Sequence, residues 1–487
     1  MSSQKNTMTR DAMLFLPAKI VEGILVIACS SLYTHIFAKS AVGVFGILNT
    51  TVQLVYLITA GWILNATARY IGEEYHKDQG RALFSTISTV YLLLCAVTVG
   101  VFFIVSVQTG EPLWKGGSAM FISYTLFQIL NAALIQLGKI GASIVLSLTS
   151  ATCKLAIAFT IVRGVAEYPS AVPAVAANAI ADGIAGLGAV LVLSIPRVAR
   201  LRFFSLSLLK KFFAFGAPLM GVSIAISLLN MIDRYLVTGF FGEEIFAVYN
   251  SNNSIASGIF TMLSVGVMRG VYPTVLRSWQ EGGIQTAKPL LDDGARLYLL
   301  IAAPAVTGLT AVSLPMSRFL FAAGYEAGAS VISYTAIAMI FMGLTEYANK
   351  AYELEQATIH VLQNSAMAAI IKVICSLILL KTLGFTGGAI GSIIAFGFYF
   401  AITCIRVRHR FLFHIPTKNL LRIIVSAILC GVSAYACTLL PIKNLFRLLT
   451  AIAVGAVVYG AAILLSGEGK TEWEAFLRKI RSLRSRR

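Results

Sequence analysis

Polar surface is what this sequence has least of. Charged residues fill 12% of its 487 positions and hydrophobic ones 57%, with a mean hydropathy of +0.82. A soluble globule of that length needs more polar side chains to cover itself, so that class is excluded. Acidic residues are scarcer still, 21 Asp and Glu against 39 Lys and Arg. The five histidines (His35, His76, His360, His409 and His414) are scattered. No HExxH, GxSxG or GxxxxGK[ST] stands in a usable context, so neither an enzyme active site nor an ATP-binding loop is expected. The seven cysteines all lie in apolar runs without a CxxC or a nearby histidine, which reads as packing rather than as disulfides, a metal site or a cofactor.

What is abundant is apolar run after apolar run. A helix needs about 20 apolar residues to cross a hydrocarbon core, and lipid cannot satisfy open backbone groups, so the spans are helical. We count about 14: 13–37, 43–70, 83–107, 116–137, 143–164, 173–195, 212–240, 246–272, 290–313, 330–349, 359–382, 387–405, 420–441 and 445–466. The fold class is an all-α polytopic membrane protein. Because MSSQKNTMTRDAM leads into the first span without a small-residue cleavage site, that span reads as a retained helix rather than a signal peptide. The net charge of +18 reflects short basic loops on one side and a basic tail. This is the positive-inside pattern, and it argues for both termini in the cytoplasm and against a nucleic-acid partner.

The chain also repeats. Pro17 and Pro218, Phe45 and Phe246, and Asn49 and Asn250 stand 201 residues apart, Arg69 and Arg269 fall within one residue of that register, and Lys154 pairs with Lys372 at an offset of 218. The expected organisation is an N-lobe at 1–196, a basic linker at 197–211, a C-lobe at 212–406, a last helix pair within 407–466 and a basic tail at 467–487. Two six-helix lobes in the same orientation are related by an axis along the membrane normal.

Charges inside spans are costly and mark functional candidates. They are Lys19 and Glu22 in span 1, Arg69 in span 2, Lys154 in span 5, Asp182 in span 6, Asp233 and Arg234 in span 7, Arg269 in span 8, Glu346 in span 10 and Lys372 in span 11. Lys19 and Glu22 are spaced to pair with each other, while Arg69, Arg269 and Glu346 lie near span ends where a side chain can snorkel. Asp182, flanked by small residues, suits a structural hydrogen bond. Lys154 and Lys372, mid-span and in matching places, are the strongest candidates for a substrate-facing role. Asn250 and Asn253, in the polar run YNSNNS, suit either a sugar-compatible path or interhelical hydrogen bonds.

The stretch FGAPLMG, then IDRYLVTGFFGEEIFAVYNSNNSI, then VYPTVLRSWQEG resembles the second-half opening of polysaccharide-type flippases of the multidrug/oligosaccharidyl-lipid/polysaccharide (MOP) exporter superfamily. KSAVGVFGILN and LGFTGGAIGSIIA are similar to the family's other turns. The resemblance implies two six-helix lobes around a cationic cavity, and alternating access that moves undecaprenyl-pyrophosphate-linked oligosaccharide from the cytoplasmic to the outer leaflet of the cell membrane. Membrane lipids, and a glycosyltransferase or polymerase, are the implied partners. An excess of basic residues within spans independently suits a pyrophosphate. Span 1 carries a Lys-Glu pair rather than a set of arginines, which places a lipid II flippase of the same superfamily behind the polysaccharide type. The alternatives are a cation-coupled multidrug exporter, which calls for a more acidic and aromatic cavity, and a non-transporting membrane scaffold.

Overall fold

The computed structural model describes residues 2–78, 80–110, 113–161 and 168–469; the side chains of 2–16, 18, 19, 68, 76, 161 and 269 lie outside the description. The C-terminal tail from 470 onward, the side chains of Lys19 and Arg269, and residues 162–167 are therefore outside the described residues. Fourteen α-helices follow one another: α1 Ser2–Ile36, α2 Lys39–Asp78, α3 Arg81–Thr109, α4 Leu113–Gln136, α5 Ile140–Ile161, α6 Val172–Val192, the short α7 Ile195–Val198, α8 Leu206–Gly282, α9 Ile284–Leu320, α10 Ala329–Leu354, α11 Ile359–Leu383, α12 Gly387–Val407, α13 Thr417–Thr438 and α14 Asn444–Leu465. Among the described residues the only extended pairing is one isolated bridge between Phe37 and Tyr168. The chain is an all-α polytopic membrane protein with about 14 crossings: among the described residues eleven stretches qualify by length and hydropathy, both Leu206–Gly282 and Ile359–Val407 hold two crossing lengths, and the shorter apolar stretch Ile20–Ile36 of α1 adds one.

The apolar residues do two jobs. Small and aromatic ones pack between helices, and long aliphatic ones point outward, as Leu92, Leu93, Ile104 and Val107 do along α3, where water would penalise them and lipid would not. In α8, Gly242 has φ 80° and ψ 178°, a conformation that leaves the α-region and that a side chain would strain. There the helix breaks into a first arm, 206–241, and a second arm, 243–282. Asp233 and Tyr249, 16 residues apart, touch across the break, so the arms fold back on each other. This break falls between the expected spans 212–240 and 246–272.

Two stretches between the expected spans are helical for much of their length. The GEEYHKDQGR segment is helical as far as Asp78, and the segment after Pro273 stays helical to Gly282, where Gly283 turns the chain into α9. Both segments are rich in helix-forming Glu, Lys, Arg and Gln, which extend a helix beyond the apolar stretch that ends at the membrane surface. The proline at 273 does not stop the second arm of α8.

The chain forms two compact units, 1–251 and 252–487, with the division inside the second arm of α8. In the first unit, α4 packs on α2, α3 and α6, and α5 packs on α1 and α6, around a core that includes Tyr56, Phe84, Phe121 and Phe212. The basic linker forms α7 and a single 3₁₀ turn, Leu201–Phe203. It is strapped to the start of α3 by two backbone donors, Arg200 N–H to Ser85 Oγ (3.0 Å) and Ser205 N–H to Thr86 Oγ1 (3.1 Å). In the second unit, α12 packs on α10 and α11, while α9 packs on α10, α13 and α14.

Candidate functional site

In the first unit, α2 and the part of α8 from Gly216 to Glu243 run antiparallel and very close together. A Cβ added at Gly43 would sit 2.0 Å from the Glu243 carbonyl oxygen, and one at Gly216 would sit 2.2 Å from that of Trp62, so neither position accepts a side chain. Between these points the contact is polar. Arg234 donates from Nη1 to Thr50 Oγ1 (3.1 Å), the hydroxyls of Thr51 and Tyr235 lie 3.1 Å apart, and Tyr249 donates a short bond to Asp233. Asp233 is 2% exposed. The Nε of Arg234 is buried with no hydrogen-bond partner among the described residues. A partly buried guanidinium with an unused donor is well suited to an anion.

The same helix pair ends in an ionic cluster beyond the apolar stretch. Lys77 Nζ lies 2.8 Å from Glu74 and 3.3 Å from Glu73, and Lys211 Nζ lies 2.7 Å from Glu74 and 3.5 Å from Glu73. The hydrogen bond from Lys77, with the charge of Lys211 behind it, holds the Glu73 carboxyl below its usual range, and Glu74 in turn raises Lys77. Arg69 is exposed at this end and lies 5.5 Å over the Tyr70 ring, with Lys211 4.4 Å from the same ring.

A second polar group joins α5 and α6. Lys154 Nζ lies 2.8 Å from Asp182 Oδ1, which also accepts from Ser150 Oγ at 2.6 Å. Nearby, Asn178 donates to Tyr33 OH (3.1 Å) and to the Ala174 carbonyl (2.9 Å). Glu22 is partly buried on α1, and Asn250 partly buried on the second arm of α8.

In the second unit, Lys372 is 1% exposed, its ammonium 5.4 Å from the centre of the Phe396 ring. Asn253 accepts from Thr335 at 2.8 Å, and Asn252 donates to the Tyr325 carbonyl at 2.9 Å. Asn252 and Asn253 of the YNSNNS run are thus each hydrogen-bonded to another element of the second unit. Lys154 and Lys372, matched in sequence, thus have different surroundings: one is partly exposed and ion-paired, the other is buried against an aromatic ring. Among the described residues no group of three or more His, Cys, Asp and Glu is placed to hold a metal. Sequence reasoning passed over Tyr235, Tyr249, Ser150 and the Glu73/Glu74/Lys211 cluster. The i, i+3 and i, i+4 spacing of Glu74 and Glu73 to Lys77 was a readable signal for that cluster; the tyrosines gave none.

Comparison with known proteins decides the family. The profile of the lipid II flippase MurJ family matches residues 31–453. The chain belongs to the lipid II flippase MurJ family. Members of the MurJ family are flippases, not enzymes. A lipid II flippase MurJ in an inward closed conformation superposes with a TM-score of 0.74 at 16% identity, covering 92% of this chain and 98% of that chain. An inward-facing multidrug resistance MATE family transporter of the MOP superfamily gives 0.64 at 16% identity, covering 82% and 98%, and a MATE in the straight conformation gives 0.59 at 15%, covering 83% and 96%. At such identities the structures share a fold. No curated protein matches the chain at a significant level. The MOP superfamily resemblance therefore stands, but the family match goes to MurJ, the branch that the Lys-Glu pair of span 1 had placed second.

Proposed function

We propose that the protein is a flippase for an undecaprenyl-pyrophosphate-linked saccharide, carrying it from the cytoplasmic to the outer leaflet by alternating access, with lipid II as the leading substrate. The observation that carries this reading is the MurJ family match over residues 31–453. The intramembrane cations support it. A pyrophosphate crossing a bilayer has to exchange its hydration for fixed donors, and Arg234, with its buried unused Nε, Lys372 and Lys154 are of the right chemistry. Arg234 is the residue we assign to the pyrophosphate first, because it combines a cation with a donor left open. Lys19, Glu22, Arg69, Asp233, Arg269, Asn250 and Asn253 complete the proposed substrate path. The basic loops support a cytoplasmic placement of both termini.

A surface-polysaccharide precursor is the second reading, favoured by the Lys19–Glu22 pair standing where a set of arginines is expected for lipid II. Both substrates share the pyrophosphate, so its recognition is tested first. The purified protein is titrated with lipid-linked saccharides that differ only in carrying a pyrophosphate or a monophosphate. The pyrophosphate form binds more tightly, and Arg234→Gln reduces that preference by about tenfold, the size of one lost charge-assisted hydrogen bond. Equal binding of the two lipids by the wild type would overturn the reading.

A further inference from the structure

Among the acids inside the spans, Asp182 is ion-paired with Lys154 and Asp233 accepts from Tyr249. Glu346 differs. It is partly buried on α10, eight residues before the end of that helix, and no described residue donates a hydrogen bond or forms an ion pair with it. The basic group nearest along its own face, Lys350, is 7% exposed and already committed: its Nζ lies 2.8 Å and 2.7 Å from the two oxygens of Glu353 and 4.7 Å from the centre of the Tyr272 ring.

From the α8 second arm, Tyr272 faces the Lys350–Glu353 pair; the side chain of Arg269, one turn earlier, is outside the description. Tyr347, the next residue on α10, has its ring 5.7 Å from that of Tyr298 on α9, and Tyr399 of α12 reaches the same helix through Asn349. Two polar atoms of this neighbourhood, Tyr347 OH and Asn349 Oδ1, are buried without a hydrogen-bond partner among the described residues, while Asn349 Nδ2 donates to Tyr399 OH at 3.0 Å. The helices are held tightly around it: a Cβ at Gly343 would lie 1.9 Å from Tyr298 OH.

We propose that Glu346 is a proton-binding site of the transport cycle, taking up one proton from water on one side of the membrane and releasing it on the other. Several features of this site favour a proton over a metal cation. Among the described side chains Lys350 and Glu353 cancel each other, which leaves the charge of Glu346, and one proton neutralises it. A metal cation would need several oxygen ligands, and among the described residues no group of three or more His, Cys, Asp and Glu is placed to supply them. The surrounding groups are phenols, which both donate and accept hydrogen bonds and so can serve either protonation state. An acid without a partner inside a span marks a proton path more often than a packing element. The carboxylate goes from a charge of minus one to zero and back, so each cycle moves one proton and nothing is oxidised or reduced.

This inference rests on the flippase reading and adds its coupling ion. Vesicles holding the purified protein and a fluorescent pyrophosphate-linked lipid are given a pH difference across the membrane, and the leaflet distribution of the lipid is measured. For exchange of one proton per lipid, the wild type enriches the lipid on the acid side by up to about tenfold per pH unit. Glu346→Gln, which keeps the shape and removes the titration, still equilibrates the lipid between leaflets but shows no enrichment; Glu346→Asp retains it. In difference infrared spectra of the wild type across a pH step, a protonated-carboxyl band appears that Glu346→Gln lacks. If the wild type equilibrates the lipid but ignores the pH difference, responds to a sodium gradient in its place, or if Glu346→Gln enriches like the wild type, the proton site is overturned while the flippase reading stands. If the wild type does not move the lipid at all but the infrared band is present and lost in Glu346→Gln, the flippase reading fails and the proton site survives.

Discussion

Lys154→Ala separates a structural lysine from a substrate-facing one. The ammonium of Lys154 lies 2.8 Å from Asp182 Oδ1, and the two side chains are 24% and 6% exposed. Removing the lysine strands a carboxylate that keeps only the Ser150 hydroxyl as a described donor. Breaking a buried pair by deleting one partner costs about 3–5 kcal/mol. Because Lys154 is nearly a quarter exposed and one hydrogen bond of about 1 kcal/mol remains on Asp182, the low end applies, about 3 kcal/mol. Asp182→Asn alone costs less, about 1 kcal/mol, since the ammonium reaches solvent and the amide still accepts from Ser150. The double variant Lys154→Ala/Asp182→Asn leaves no buried charge, so it loses about 2 kcal/mol rather than the roughly 4 of the two added, a coupling of about 2 kcal/mol. Denaturant unfolding in detergent micelles for the four proteins of this cycle measures it. Lys154→Ala as stable as the wild type, or losses that simply add, would refute the view that Lys154 and Asp182 hold α5 to α6.

Other expected outcomes follow from the α2–α8 contact and its ends. Gly216→Leu drives a side chain into the Trp62 carbonyl, 2.2 Å from where its Cβ must sit, and destabilises by about 1–3 kcal/mol in the same unfolding assay. Tyr249→Phe takes one donor from a carboxylate that is 2% exposed, at a cost of about 1–3 kcal/mol, and Tyr249→Ser does not restore it, because a shorter hydroxyl cannot span the gap. Glu73, lowered by Lys77 and Lys211 from its usual 4.5, contributes stability that is fully present above that value and is lost as pH falls through its lower folded value. An acid titration of Lys77→Met therefore loses stability less steeply there than the wild type; an unchanged acid limb would contradict the cluster.

Much of the fold was legible in the sequence, because membrane helices announce themselves by length and hydropathy. The break at Gly242 was legible too, as a glycine between two spans. What was not legible is how far α2 and α8 continue beyond the lipid, since apolar periodicity ends at the membrane surface while helix propensity in GEEYHKD and LRSWQEG does not. The site was legible as a set of charges but not as pairs. Asp182 could be read as structural from the small residues around it, whereas its partner Lys154 came from a different helix and looked mid-span and unaccompanied. Glu346 looked like a residue near a helix end. Its character emerges only when Lys350 is seen to be occupied by Glu353, one turn further on.

The central claim is that this chain moves a pyrophosphate-linked saccharide lipid between leaflets. The direct measurement is leaflet transfer of fluorescent lipid II in vesicles holding the purified protein, read by a quencher that does not cross the membrane. The account predicts that transfer exceeds that in protein-free vesicles, that it is slowed by Arg234→Gln, and that a neutral lipid of the same saccharide does not replace the substrate. Transfer no faster than in protein-free vesicles, both for lipid II and for a surface-polysaccharide precursor on the same carrier, would contradict it.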